Sequence, residues 1–304
     1  MSDTPAAPLP VRGHDDRDRR FAHPTADALA DRVRGLDDGS LEWIVVQRVP
    51  DLPHDCIQAA GDEGSGRVEV SFRVGDEPWM EASLDVEAAA AVFVAWARNE
   101  TGWEGAHPWE PAEWWHPEPV PAPAPETAAE TTVLAARYLS EGYLSFDEMV
   151  RSLVDMSEAD PPITKAQARE ILAPMWRERV AEQAAWGETD CDRLAEAFAA
   201  ISRGGIVARE HFACCQNCGT TEIWAEAGPE DRGYVFFHMQ DTETAGDGVL
   251  YLAYGSRSND PDDTVAIGRE VIAALEAHGF QTSWDGSAKT RLQITDLEWR
   301  KRLG

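Results

Sequence analysis

Three of the five cysteines in this 304-residue chain fall within five residues, in His211-Phe-Ala-Cys-Cys-Gln-Asn-Cys218-Gly219. A second polar group, His238-Met-Gln-Asp241, ends an apolar run about twenty residues later. The spacing of Cys215-Gln-Asn-Cys218 lets two sulfurs reach one tetrahedral zinc from a tight turn, and Asn217 and Gly219 suit that turn. A structural zinc takes four ligands and the chain has no second Cys-x-x-Cys, so Cys214, His211, His238 or Cys191 must complete the set. His238 and Cys191 are the expected partners of Cys215 and Cys218. Cys214 is then expected to face the core, because neighbours in an extended segment point to opposite sides.

Other chemistries fit the same residues. Cys215 and Cys218 could form a redox dithiol pair. Cys218, His238 and Asp241 could act as nucleophile, base and orienter. Against these stands a plain structural reading, in which the cysteines pack as small apolar side chains. His238 is then a hydrogen-bonded strand-end residue, and Asp241 and Thr242 cap a short helix.

Those residues need elements to hold them. Tyr234-Val-Phe-Phe-His238 reads as a buried strand, since four consecutive apolar residues suit a sheet covered on both sides. Strands are expected near 206–209, 233–238 (this run), 249–254, 280–284 and 291–295, with a helix from about Asp263 to His278. Upstream, Ser145-Phe-Asp-Glu148 and Thr164-Lys-Ala-Gln167 fit the capping box, and helices are expected near 131–140, 146–157, 165–185 and 190–203. Nearer the start, Thr25 and Asp85 are expected helix caps. Strands between them are expected at Leu41–Val49, Cys56–Ala59 and Arg67–Val74, with a short one near Trp79–Leu84.

The chain therefore reads as an α+β protein of two domains. Residues 1–24 are expected to be a disordered tail and 25–115 a small Trp-rich helix-sheet-helix unit. Residues 116–130, which contain Pro117-Glu-Pro-Val-Pro-Ala-Pro-Ala-Pro125, are expected to be a polyproline spacer. Residues 131–304 form the second domain, helical first and β-rich after. The first domain holds seven of the 12 Trp. Four of them (Trp103, Trp109, Trp114 and Trp115) lie beyond its last helix, where they fold back on the core or present a binding surface; the core is the preferred reading.

With 27 basic and 55 acidic residues the formal charge is −28. Such a surface repels phosphate backbones and anionic lipid, which argues against nucleic-acid and membrane partners and favours a basic protein partner. The first twenty residues carry no apolar signal segment, and no run of about eighteen apolar residues occurs, so a cytoplasmic location is expected.

From Trp176 onward, several blocks occur in order: Trp176-Arg-Glu-Arg, Thr189-Asp-Cys-Asp-Arg-Leu194, Gly205-Ile-Val-Ala-Arg-Glu210, Phe212-Ala-Cys-Cys-Gln-Asn-Cys-Gly219, Leu250-Tyr-Leu-Ala-Tyr-Gly255 and Trp284-Asp-Gly286. Together they resemble a bacterial, mainly actinobacterial family catalogued as domain of unknown function 6891. The resemblance implies an α+β domain over most of residues 131–303 and no assigned activity, ligand or catalytic residue. The preferred expectation is a non-catalytic binding or regulatory protein. Its alternative is a thiol- and imidazole-dependent enzyme, or a zinc-stabilised domain, built on Cys215, Cys218 and His238.

Overall fold

The structure, a computed structural model, describes residues 7–61 and 63–304. It is an α+β chain that divides into two compact units. One comprises the residues up to Thr131 together with Ser145–Val180; the other comprises Thr132–Leu144 and Ala181–Leu303.

The first unit begins with two strands, β1 (Val11–Asp15) and β2 (Arg20–Ala22), followed by α1 (Ala26–Arg34). Strands β3 (Trp43–Arg48), β4 (Cys56–Gly61), β5 (Arg67–Arg73) and β6 (Met80–Asp85) follow, then α2 (Val86–Ala97) and the short β7 (Glu110–Pro111). The strands form one antiparallel sheet in the order β2-β1-β3-β4-β5-β6-β7. Thr25 and Asp85 cap the two helices as their side-chain chemistry predicts, accepting from the N–H groups of Ala28 and Ala88. Both helices lie on one face of the sheet. There Leu29 and Val33 of α1 and Phe93 and Trp96 of α2 meet Ile44, Ile57 and Val70 in a fully buried core.

The expected tail at 1–24 is corrected by this sheet. Residues 1–6 lie outside the described residues, but residues 11–15 and 20–22 are paired strands. Val11 is fully buried in the core, so this segment supplies apolar surface that its charged composition hides. Its turn is organised by Asp15, whose carboxylate accepts from the N–H groups of Arg17 and Arg19 and from the Arg19 guanidinium. Burial opposes ionisation of Asp15, but these donors outweigh it and hold the carboxyl below its ordinary value.

Beyond β7 the chain is irregular until α3 (Pro125–Glu141). The expected spacer therefore ends earlier than residue 130: Pro125 opens the helix, where a proline's missing N–H costs nothing. Next come α4 (Phe146–Asp155) and α5 (Lys165–Gln183), with the capping boxes at Ser145 and Thr164 both formed. Sequence order assigns these helices to the C-terminal domain, yet Ser145–Val180 clusters with the first unit. Trp176 is the reason. It is fully buried against Phe146, and its indole N–H donates to the Asp51 carbonyl at 2.6 Å. Beside it the Arg177 guanidinium grips both oxygens of Asp76.

In the second unit α6 (Asp190–Arg203) leads into β8 (Ile206–Arg209), α7 (Gln216–Glu222) and β9 (Gly233–Phe236). Then come α8 (Met239–Ala245), β10 (Leu250–Ser256), α9 (Pro261–Ala277), β11 (Gln281–Ser283) and β12 (Leu292–Thr295). The sheet order is β11-β12-β10-β9-β8, with β8 and β9 parallel and the other pairs antiparallel. Helices α6 and α9 cover one face through Leu194, Phe198, Val271 and Leu275. A smaller cluster of Val207, Ile223, Tyr234 and Phe236 covers the other. All four residues of β9 are buried, as expected for a strand with helices on both sides. Among the described residues no helix is long and apolar enough to cross a membrane.

Trp176→Phe tests whether α5 stabilises the first unit. The variant keeps an aromatic ring but deletes the pyrrole half of the indole and leaves the Asp51 carbonyl without its donor, an expected loss of at least about 1–3 kcal/mol. Thermal unfolding measures it, and an unchanged Tm would show that this contact contributes nothing.

Candidate three-thiol site

Parallel strands cannot be joined by a tight turn, so the chain must cross over between β8 and β9. The cysteines lie in that crossover. It leaves β8 through His211 and Ala213, both in the left-handed region with φ of 48° and 59°. Backbone bonds pin it there: Phe212 N–H donates to the Phe237 carbonyl and Met239 N–H to the Ala213 carbonyl. Cys215 then stands at the N-cap of α7 and Cys218 in its first turn. The helix can sit this close to the sheet only because residue 219 is glycine. A Cβ there would come within 2.5 Å of the Phe236 ring.

The turn brings Cys214, Cys215 and Cys218 together, with their three sulfurs all within 4.8 Å of one another. Cys214 is exposed and the other two are half-buried. The expectation that Cys214 faces the core is thereby corrected. Alternation of side chains requires an extended strand, and Ala213 breaks that conformation immediately before it. The backbone N–H of Cys218 lies against the Cys215 sulfur, helped by the Cys218 thiol, and lowers the Cys215 pKa. The neighbouring thiols of Cys214 and Cys215 push Cys218 up to about 11. A first thiolate is therefore favoured at Cys215.

The expected completing ligands are elsewhere occupied. His238 is the N-cap of α8 in a reciprocal capping box: its Nδ1 accepts from Asp241 N–H, and the Asp241 carboxylate accepts from His238 N–H. Its Nε2 lies 3.1 Å from Asp241 Oδ2. Asp241 also receives both arms of Arg291, at 2.9 and 2.5 Å. Burial is the main cause lowering the His238 pKa, and an Nδ1 that accepts the Asp241 N–H carries no proton of its own. This corrects the plain reading in detail, since His238 itself is the cap and Asp241 its return partner. Cys191 is buried on α6, its pKa pushed up to about 12 by burial. Neither belongs to the three-sulfur group.

His211 is likewise engaged in a separate polar cluster. Its ring stacks on Tyr143 at 4.3 Å, and its Nδ1 lies 2.9 Å from the Thr242 hydroxyl. Tyr143 and Lys301 both donate to Glu210, at 2.6 and 2.7 Å. Sequence reasoning missed this cluster, because Tyr143, Glu210 and Lys301 are distant along the chain and carry no spacing signal.

Residues 124–303 match the family described as Domain of unknown function (DUF6891), and the chain belongs to that family. No curated protein and no solved structure matches it.

Burial, aided by nearby Lys301, depresses the His211 pKa to about 4. Unfolded, the ring titrates near 6.5. Between about pH 4 and 6.5 the unfolded chain binds the extra proton, so the contribution of His211 to stability falls as pH drops through that window. His211→Asn, which tolerates the left-handed backbone, removes that titration. The Tm difference between the natural protein and the variant should narrow from about pH 7 to pH 4. A constant difference would show that His211 does not titrate as described.

Proposed function

We propose that this DUF6891 protein is a non-catalytic metal-binding protein that holds a thiophilic ion, zinc first, on Cys214, Cys215 and Cys218. The convergence of three sulfurs within 4.8 Å carries this reading. Sulfurs bound to one ion at ~2.3 Å stand roughly 3.8–4.0 Å apart, so closure needs shifts below about 1 Å. Thiolates select zinc and Cu(I) over harder ions. Three protein ligands leave zinc's fourth position open to water or an exchangeable group, and a trigonal Cu(I) would use the same three sulfurs.

The partial exposure of the thiols supports exchange of the ion rather than permanent burial. That favours metal handling or sensing over a purely structural role. Thiol-imidazole catalysis is the weaker reading. His238 is committed to Asp241, His211 to Tyr143 and Thr242, and neither imidazole belongs to the sulfur group. A ligated Cys215 would tie the turn at 213–219 to α7, so metal binding should also stabilise the second unit.

Protein purified under reducing conditions and loaded with zinc should retain about one ion per chain by elemental analysis. Cys214→Ser, Cys215→Ser and Cys218→Ser should each weaken retention at least about tenfold, and a chelator should lower Tm. Cys56→Ser, in the other unit, should leave metal content unchanged. Full retention by Cys214→Ser would remove Cys214 from the ligand set and overturn the three-sulfur site. Failure to take up either zinc or Cu(I) would overturn the proposal, and loss of two titratable thiols on mild oxidation would then favour a Cys215–Cys218 redox pair.

A further inference from the structure

In the first unit, α1 and α2 cover only one face of the sheet. The other face carries Trp43 and Val45 of β3, Gln58 and Ala60 of β4, Glu69 and Ser71 of β5, and Glu81 of β6. Strand pairing aligns them: Trp43, Ala60 and Glu69 form one cross-strand row, and Val45, Gln58, Ser71 and Glu81 the next. A cavity of about 480 Å³ lies over these rows, and Trp114 closes one side of it. That volume is in the range of small-molecule sites.

Two indoles are presented there with unusual exposure for so large an apolar side chain, 37% for Trp43 and 53% for Trp114. Both are held in place. Trp43 meets the His14 ring edge-on at 5.5 Å, while Trp114 packs on Trp79 at 5.5 Å and donates its N–H to Glu81 Oε2 at 2.7 Å. Glu81 therefore orients one wall of the cavity and keeps a negative charge beside it. Glu69 supplies a second carboxylate from the adjacent strand. No basic side chain lines the cavity among the described residues. The nearest on β5 are committed elsewhere: Arg67 to Ser83, and Arg73 to the Glu77 carbonyl and the face of Trp115.

Indole faces carry negative electrostatic potential and attract ammonium groups, most strongly when the cation is desolvated, which costs least for a weakly hydrated quaternary ammonium. Two indoles and two carboxylates around one small cavity are complementary to a cation and repel an anion. We propose that this open sheet face is a binding site for a small organic cation, of the quaternary or alkyl ammonium class, with Trp43 and Trp114 as its aromatic walls and Glu69 and Glu81 as its counter-charges. The site is separate from the thiols and independent of whether they bind metal. The chain's charge of −28 would further raise the local cation concentration at low salt.

The test is calorimetric titration of the full chain with choline and with 3,3-dimethylbutan-1-ol, its neutral carbon isostere. Choline should bind saturably, at least about tenfold more tightly than the isostere, and more weakly in high salt. Glu69→Gln/Glu81→Gln should lose about tenfold in affinity with Tm little changed, because glutamine at 81 still accepts the Trp114 N–H. Trp114→Ala should lose affinity by a similar factor. Equal binding of choline and isostere, or no saturable binding up to about 10 mM, overturns the proposal. So does full affinity in the double glutamine variant, or binding of an oligolysine peptide without binding of choline, which would assign the face to a protein partner.

Discussion

Strands that pair in parallel impose a crossover, and in the second unit this one requirement places the chemistry. β8 and β9 run in the same direction, so residues 210–232 must leave one end of β8 and return to the start of β9. The crossover packs Ile223 into the sheet and seats α7 over Phe236, which glycine at 219 permits. The thiols ride on the first turn of that short helix. Their convergence follows from where the crossover lands and from two left-handed residues, His211 and Ala213, that bend the chain into it.

The opposite side of the same sheet shows how the polar residues nearby are held. α6 and α9 bury the face containing Val235 and Phe237, so the chain leaving β9 emerges between two packed layers. His238 and Asp241 are buried there and must satisfy each other's backbone groups. The reciprocal cap and the Arg291 clamp do so. A histidine and an aspartate three apart, suggestive of a base and its orienter, are thereby consumed by the opening of α8.

The first unit solves a different problem with a sheet covered on one face only. Its core is closed by two helices and by Trp103 and Trp109, which pack edge-on against Phe72 at 4.8 and 4.9 Å. Those two tryptophans satisfy the expectation that the terminal aromatics fold back on the core. Trp114 does not; it remains half in solvent over the open face. Similar residues in one short segment thus divide between packing and presentation, according to which face of the sheet each reaches.

Where a local interaction sufficed, the sequence was a reliable guide. Thr25, Asp85, Ser145 and Thr164 each cap a helix because a cap needs only partners three residues away. Alternation marked β5, and an unbroken apolar run marked β9. The α+β character, the family resemblance over the C-terminal region and the cluster of thiols were all legible in the same way. Tertiary structure decided what depends on distant partners. Val11 became core, making strands of an apparent tail, and Trp176 found Asp51, drawing Ser145–Val180 into the first unit. Cys214 replaced His238 and Cys191 beside Cys215 and Cys218. Spacing along the chain reports which donors are near in sequence, but only the path of the backbone, set here by a parallel crossover and two left-handed residues, fixes which of them meet.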